Sequence, residues 1–152
     1  MDDDDVVSRL LREVDELRVR LRPDVFPPFD DPDQMRERVA GFVEDADAEI
    51  IVAELGADIV GLATIRVHDN PDASMFRPGR FAIMADLVVV PEFRRSGIAK
   101  SLLDSALEWT WSRGLPGLGI NVWNDNESGV SFFEANGFAP RCQQMELKIE
   151  KD

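Results

Sequence analysis

The chain has 152 residues, of which 44% are hydrophobic, and its formal net charge is −13. This length and hydrophobic content predict one folded domain and exclude a disordered chain, while the acidity argues against nucleic-acid binding, which needs broad basic surfaces. Apolar runs fall short of the roughly 20 residues that cross a bilayer. Four aspartates follow Met1, where a signal peptide would be basic, so we expect a cytoplasmic protein with no membrane partner.

The N-terminal third predicts two helices joined by a proline-rich loop. Apolar residues recur at helical spacing over 7–21, which indicates an amphipathic helix. Residues 23–32 hold four prolines and predict an irregular loop. Asp31 followed by Pro32 is typical of an N-cap with proline at the first helical position, and it predicts a short second helix over 32–44.

The next part of the chain predicts three strands. The β-branched and apolar residues at 50–53 and 59–65 flank a turn at 56–58, which favours an antiparallel hairpin. Residues 68–80 are polar, contain glycine and proline, and predict a loop. The apolar stretch 81–90 then predicts a buried strand.

A loop that suits an anion follows this strand. Residues 94–99 read Arg-Arg-Ser-Gly-Ile-Ala and lead into a predicted helix over 98–113. Backbone N–H groups at the start of a helix lack partners within it, and the helix dipole adds partial positive charge there. Arg94, Arg95 and Lys100 add positive side chains, so a pyrophosphate fits this loop.

The C-terminal part predicts a strand, a helix and a last strand. Glycine and proline at 114–117 end the preceding helix, and 118–122 predicts a strand parallel to the strand 81–90. Asn126 suits an N-cap of a helix that stops at Gly137, and residues 138–149 predict a final strand. The single cysteine, Cys142, cannot make an internal disulfide or a metal site alone, so no metal is expected.

Two motifs in this order carry a family resemblance. Residues 89–94, Val-Val-Pro-Glu-Phe-Arg, lead into a loop with Arg94, Gly97 and Ala99, and Asn126 precedes Phe-Phe-Glu and a Gly-Phe pair within residues 126–138. The loop resembles R/Q-x-x-G-x-G/A, and the second segment resembles the N…F-Y-E…G-F signature, of the GNAT superfamily of acyl-CoA-dependent N-acyltransferases.

This resemblance, which covers roughly residues 5–149, implies both fold and activity. The fold is α/β (α+β): a mixed, mostly antiparallel sheet flanked by helices, in a single domain over 1–152. The activity is transfer of an acetyl group from acetyl-CoA to a primary amine of a small molecule or peptide, with the amine-bearing acceptor held by the first two helices and residues 22–32. Dimers are common in this family, which is compatible with a homodimer here. The family usually begins with a strand, and none is predicted before residue 6.

The resemblance also implies which residues hold coenzyme A. Gly97 lacks a Cβ and lets the backbone approach the phosphates, and the pantetheine amides pair with the strand before the loop. The implied cofactor-binding residues are Leu87, Val88, Val89, Arg94, Arg95, Ser96, Gly97, Ile98, Ala99, Lys100, Asn126 and Phe133. Two plainer alternatives stay open: Asn126 is also a good helix cap, and residues 87–89 also suit a core strand.

The catalytic residues are less well defined. The family often takes its general acid from the Tyr of F-Y-E, where this chain has Phe133, and the chain contains no tyrosine; water, another side chain or no acid at all remain open. Asp86 is the only charged residue between Arg80 and Glu92. It is the candidate base, and the alternative is a structural acid hydrogen-bonded at a strand distortion. His68 is predicted to be a polar residue on the surface.

We therefore expect a GNAT-like N-acetyltransferase. The missing tyrosine makes a non-catalytic CoA-binding or regulatory module the main rival. An acidic interaction protein that uses the fold as a scaffold is a third interpretation.

Overall fold

A computed structural model describes residues 2–28, 31–70, 77 and 79–151. Its elements in chain order are α1 (Asp3–Leu21), α2 (Pro32–Glu44), β1 (Ala48–Leu55), β2 (Asp58–Asp69), β3 (Arg80–Val89), a 3-10 helix (Pro91–Phe93), α3 (Ile98–Ser112), β4 (Leu118–Ile120) and α4 (Glu127–Ala135). This part of the chain falls into two compact units, Met1–Asn121 and Val122–Asp152, and each is considered by itself. The single domain expected over 1–152 stays a prediction.

The two N-terminal helices are confirmed, and the local chemistry explains where they begin. The side chain of Asp31 accepts a hydrogen bond from the backbone N–H of Asp33 at 2.9 Å, and Pro32 occupies the first turn of α2. In the described part of the chain, no helix has both the length and the apolar character needed to span a membrane.

Both helices bury an apolar stripe against the sheet. The side chains that form this core are Val7, Leu10, Leu11, Met35, Val39, Leu62 and Val88. Each fully buried side chain of this size contributes about 1.5–3 kcal/mol relative to its exposed state. The helical periodicity read from the sequence is therefore the pattern that attaches α1 and α2 to the sheet.

In the described chain the sheet has the order β1-β2-β3-β4. The predicted hairpin is confirmed: β1 and β2 are antiparallel, and Gly56 takes φ +63° in their turn. β2 and β3 are also antiparallel, whereas β4 runs parallel to β3, with residues 118–120 beside 82–84. The right-handed crossover rule correctly predicted the direction of β4.

β2 extends to Asp69, beyond its predicted end at 65, and β3 begins one residue earlier than predicted, at Arg80. His68 pairs with Phe81 and Asp69 with Arg80, so these residues belong to strands and not to the loop predicted at 68–80. The Arg80 guanidinium donates to Asp69 at 3.0 Å, and this ion pair closes the end of the ladder. The polar residues His68 and Asp69 are part of β2 because Phe81 and Arg80 pair with them across the ladder. Within that predicted loop, 71–76 and 78 lie outside the described residues.

The pairing of β2 with β3 contains a bulge. Thr64 is opposite Asp86, but the next residue, Ile65, is opposite Met84, so Ala85 is an extra residue on β3. Such a residue has no partner in the ladder and bends its strand locally. The bulge lies just before the strand residues 87–89.

Gly61 allows α3 to approach the sheet closely. A Cβ at this position would lie 2.9 Å from the carbonyl oxygen of Val88, 3.2 Å from the Leu102 side chain and 3.3 Å from the Ile98 side chain. Because successive strand residues point to opposite faces, Leu62 packs with the α1 and α2 core while Gly61 faces α3. The absence of one side chain therefore brings the start of α3 near β3.

The second unit contains α4. The Asn126 side chain accepts from the backbone N–H of Gly129 at 3.1 Å, which confirms the predicted N-cap. A Cβ at Gly129 would lie 2.6 Å from the Asn126 amide nitrogen, so this cap requires a glycine there. Gly137 takes φ +90° after the helix end, as predicted.

The final strand predicted over 138–149 is not formed within this unit. Over the described residues 138–151, the unit contains neither helix nor strand. Alternating side chains favour an extended chain, but a strand also needs a neighbour with which to exchange backbone hydrogen bonds. The sequence pattern did not reveal whether such a neighbour is present.

Candidate functional site

The loop between β3 and α3 has an unusual backbone. Arg95 takes φ +60°, the one positive φ outside glycine among the described residues, and Gly97 takes φ +86°. Ser96 lies between them, and its hydroxyl donates to the Phe93 carbonyl. Consecutive N–H groups in such left-handed turns form a concave surface that favours anions.

The start of α3 leaves backbone donors available. The first helical bond runs from the Ser101 N–H to the Gly97 carbonyl at 3.0 Å, so the N–H groups of Ile98, Ala99 and Lys100 have no acceptor within the helix. Gly97 is the N-cap and has no side chain to satisfy them. A Cβ built on Gly97 would have nothing within 4 Å. The loop at Gly97 and the start of α3 therefore offer both N–H donors and space for a phosphate.

The positive side chains around this loop are partly engaged. Arg94 Nε donates to the Val89 carbonyl at 3.1 Å, which ties the loop back to the end of β3. Lys100 Nζ lies 3.0 Å from an Asp104 oxygen, with both side chains more than half exposed. Arg95 is exposed at the loop itself. The backbone, more than the side chains, makes this loop suitable for an anion.

The direction of the backbone groups alternates along the end of β3. The Val90 N–H donates to the Val60 carbonyl at 2.8 Å, so Val90 turns its backbone groups toward β2. Two residues earlier, Val88 does the same. Leu87 and Val89 lie between these positions, and they turn their N–H and C=O groups toward the opposite edge of β3.

That opposite edge of β3 continues past the end of β4. In the described chain, β4 pairs with β3 only as far as Met84, so Leu87 and Val89 lie beyond its end. The Val89 carbonyl accepts from Arg94 on this side, which agrees with the alternation. Leu87 and Val89 therefore turn backbone groups to a part of this edge that β4 does not pair, whereas Val88, predicted with them, uses its backbone groups on β2; binding of an amide ligand at this edge stays a prediction.

Asp86 is held by hydrogen bonds on every side. It is 2% exposed, and Nη2 of Arg38 donates to both of its oxygens, at 2.8 and 2.9 Å. Nη2 of Arg18 donates to Oδ1 at 3.0 Å, and the Thr64 hydroxyl donates to Oδ2 at 2.5 Å. Each oxygen thus accepts two bonds, its ordinary complement. These contacts favour the structural acid at a strand distortion, and the role of Asp86 as a base stays a prediction.

A second carboxylate connects the same two arginines. Asp15 accepts from Nη1 of Arg18 at 2.9 Å and from Nη1 of Arg38 at 3.0 and 3.2 Å. Burial alone would lower the pKa of Arg38, but the charges of Asp86 and Asp15 outweigh it and raise that pKa above its ordinary value. Arg38 is therefore a permanent cation between two anions.

Sequence reasoning missed both arginines and Thr64. The signal was the isolated aspartate in an apolar strand, because a buried carboxylate requires positive or hydrogen-bonding partners. The sequence did not indicate which of the many arginines would supply them. His68, in contrast, lies on β2 with its ring 5.3 Å from that of Phe81.

A cavity of about 450 Å³ lies beside this cluster. It is bounded by the second half of α1, the proline-rich loop and the start of α2. Its lining residues are Asp15, Arg18, Val19, Phe26, Pro27, Pro28, Asp31 and Gln34. A smaller cavity of about 330 Å³, near the end of α2 and the start of β1, includes none of the predicted site residues in its lining.

The two remaining predicted site residues, Asn126 and Phe133, belong to α4 in the second unit. Asn126 is the helix cap, which was the plainer alternative for this residue. The Phe133 ring packs edge-to-face with Phe132 at 5.1 Å and with Phe138 at 5.4 Å between centroids. Their contact with a cofactor stays a prediction.

Comparison with known proteins agrees with this architecture. The model of the family described as Acetyltransferase (GNAT) family matches residues 11–138. A tetramutant of the BH1408 protein from Bacillus halodurans is 22% identical, with a TM-score of 0.85 over 94% of this chain and 92% of that one.

Two similar structures have names that state an activity. The aminoglycoside 6'-N-acetyltransferase AAC(6')-IG from Acinetobacter haemolyticus is 14% identical, with a TM-score of 0.71 over 100% of this chain and 97% of that one. The aminoglycoside N-acetyltransferase AAC(6')-Iy, solved with CoA, is 16% identical, with a TM-score of 0.63 over 76% and 88%. At these identities the likeness concerns the fold, and it confirms the mixed α/β class predicted from the sequence.

Proposed function

This chain belongs to the GNAT acetyltransferase family, and we propose that it moves an acetyl group from acetyl-CoA to a primary amine by direct attack, without a covalent enzyme intermediate. The observation that carries the proposal is the uncapped start of α3. Its free N–H groups follow a left-handed glycine in the loop that connects β3 to α3. Donors in this arrangement favour a pyrophosphate.

The proposed acetyl-CoA site, called the donor site below, uses two sets of backbone groups. The N–H groups of 95–100 hold the pyrophosphate, with Arg94, Arg95 and Lys100 adding positive charge nearby. Leu87 offers its N–H and C=O groups to the pantetheine amides, and Val89 offers its N–H, since the Val89 carbonyl already accepts from Arg94. When bound, acetyl-CoA supplies an activated acetyl thioester, and β3 and the loop orient it.

We assign the acceptor to the cavity between α1, the proline-rich loop and α2. Its lining combines the exposed carboxylate of Asp31 with the apolar surface of Phe26 and the neighbouring prolines, while Asp15 in the same lining is already paired with Arg18 and Arg38. Carboxylates attract an ammonium group, and apolar rings pack against the carbon skeleton that carries it. This composition supports an amine with an apolar or ring-containing body.

The reaction requires protons to move at two atoms. An ammonium must lose one proton to become a nucleophile, its nitrogen loses a second once it is bonded to the acetyl carbon, and the departing sulfur gains one as its bond to that carbon breaks. Water is the simplest carrier in both cases, because Asp86 has its oxygens occupied and the position of the family tyrosine holds Phe133. Asp86 as the base remains the alternative.

We expect acetyl-CoA to release free thiol in the presence of some primary amines and not without them. A panel of an aminoglycoside, a polyamine, an amino-acid amide and a peptide with a free N-terminus samples the classes that the cavity admits. Calorimetric titration with CoA measures donor binding separately. CoA binding without thiol release would favour a regulatory module, and absence of binding would favour an acidic interaction protein. The expected cytoplasmic location and homodimer stay predictions.

Phe133→Tyr is expected to raise turnover and to change its pH profile. The new hydroxyl would provide a proton donor at the family position, with a benefit that fades as the phenol ionises near pH ~10. Phe132→Tyr, which adds the same hydroxyl one residue away, is the matched control and should leave the profile unchanged. Identical rates and profiles for all three proteins would show that protonation is not limiting or that Phe133 lies elsewhere.

A further inference from the structure

Arg18 contacts three acceptors that belong to two different elements. Its Nη1 donates to Asp15 on α1 at 2.9 Å, and its Nη2 donates to Asp86 and to the backbone carbonyl of Ala85, both on β3 and both at 3.0 Å. The Arg18 side chain is 26% exposed and lines the 450 Å³ cavity. One guanidinium therefore connects the wall of the cavity with the strand.

The contact with Ala85 is the unusual one. Ala85 is the extra residue of the bulge, so its carbonyl has no place in the ladder with β2. Arg18 supplies the hydrogen bond that the ladder cannot. Asp86, the next residue, fixes the position of the guanidinium, because Arg38 and Thr64 hold that carboxylate from the other sides.

The bulge also determines which way the following residues point. A shift of one residue reverses every backbone group and side chain along a strand. Leu87 and Val89, two and four residues beyond Ala85, turn their N–H and C=O groups to the edge of β3 beyond β4. A relaxed bulge would reduce the precision of this arrangement or move these groups toward β2.

We propose that Arg18 is a positioning residue of the donor site: by bonding the Ala85 carbonyl, it fixes the bulge that directs the Leu87 and Val89 backbone toward acetyl-CoA. This inference rests on the proposed function. It gives Arg18 an effect on the binding of acetyl-CoA, although the residue lines the cavity that we assign to the amine substrate. It differs from a general stabilising role, since without Arg18 the buried carboxylate still accepts three hydrogen bonds, from Arg38 and Thr64.

The test compares Arg18→Met, Arg18→Lys and Arg36→Met by titration with CoA, which needs no acceptor. Arg36 is the control, because it also lies on one of the first two helices but, among the described residues, its ion pair is with exposed Asp33 at 3.1 Å, and its side chain is 75% exposed. We expect Arg18→Met to weaken CoA binding by roughly tenfold, equivalent to about 1.4 kcal/mol. Arg18→Lys keeps one donor for Ala85 and should recover part of the affinity. Arg36→Met should bind like the unaltered protein.

A second measurement separates positioning from stability. The backbone amide NMR chemical shifts of Leu87 and Val89 should change in Arg18→Met in the absence of urea. Circular dichroism under the same conditions checks that the variant is folded. Turnover should fall more than the affinity, by about 10²-fold, if reacting groups move by roughly 1 Å.

Three results would overturn the inference about Arg18. Unchanged CoA affinity in folded Arg18→Met would overturn the inference and leave the proposed function intact. Failure of the unaltered protein to bind CoA would overturn both. Loss of the fold in both Arg18 variants would assign the residue to stability alone and also overturn the inference.

Discussion

Gly97→Glu is expected to abolish binding of coenzyme A while the protein stays folded. The new carboxylate would occupy the open space beside the first N–H groups of α3, and its charge would repel a pyrophosphate. Nothing lies within 4 Å of the Cβ position, so steric conflict with the protein is not expected. The left-handed φ of +86° costs a side chain about 1–2 kcal/mol. Calorimetry reports the binding, and circular dichroism with urea unfolding reports the fold.

Gly56→Glu is the matched control for this variant. Gly56 also has a positive φ, +63°, and also has nothing within 4 Å of its Cβ position, but it lies in the turn between β1 and β2. The two variants share the added charge and a similar backbone strain. Gly56→Glu should lose similar stability and keep its CoA affinity. Equal CoA affinity in both variants would remove the loop from the donor site.

Asp86→Asn is expected to lower the free energy of unfolding by about 3 kcal/mol. Removing one partner from a buried ion pair typically costs about 3–5 kcal/mol, because the remaining charge is left without compensation. The lower value is expected here since the Arg18 and Arg38 side chains are 26% and 29% exposed and keep some hydration. Urea unfolding measures the change. Asp33→Asn, which removes the exposed partner of Arg36, should cost less than about 1 kcal/mol.

The same variant also distinguishes the two roles of Asp86. An anchor that holds Arg18 and Arg38 predicts that stability, CoA affinity and turnover all decrease, at any pH at which the protein is folded. A base predicts a turnover loss of about 10²–10⁴-fold with CoA affinity unchanged, and this loss should shrink at high pH, where more of the amine is neutral. We expect the first pattern. Normal stability with the second pattern would restore Asp86 to the chemistry.

Features that depend on neighbouring residues could be predicted from the sequence. The caps at Asp31 and Asn126 and the loop at Gly97 each involve groups within about four positions, and all three are present. Strand ends were less predictable. His68 and Asp69 have side chains typical of a loop, but residues across the ladder brought them into β2.

The cluster around Asp86 lay beyond local signals. Arg18 and Arg38 stand 68 and 48 residues before Asp86 in the chain, and only the packing of α1 and α2 on β3 brings them together. The prediction of a final strand over 138–149 was wrong for a different reason. An alternating pattern favours a strand, but it contains no information about whether a neighbouring strand is present to pair with it.

The alternation along the end of β3 has a consequence for how this protein can vary. If the donor is held by the peptide groups of Leu87 and Val89, then most exchanges of one apolar side chain for another at these positions leave those groups in place, and proline alone among the ordinary residues removes an N–H. This part of the site can therefore drift in sequence while its ligand stays the same. A search for invariant polar side chains would overlook it, and a proline scan of β3 would reveal it.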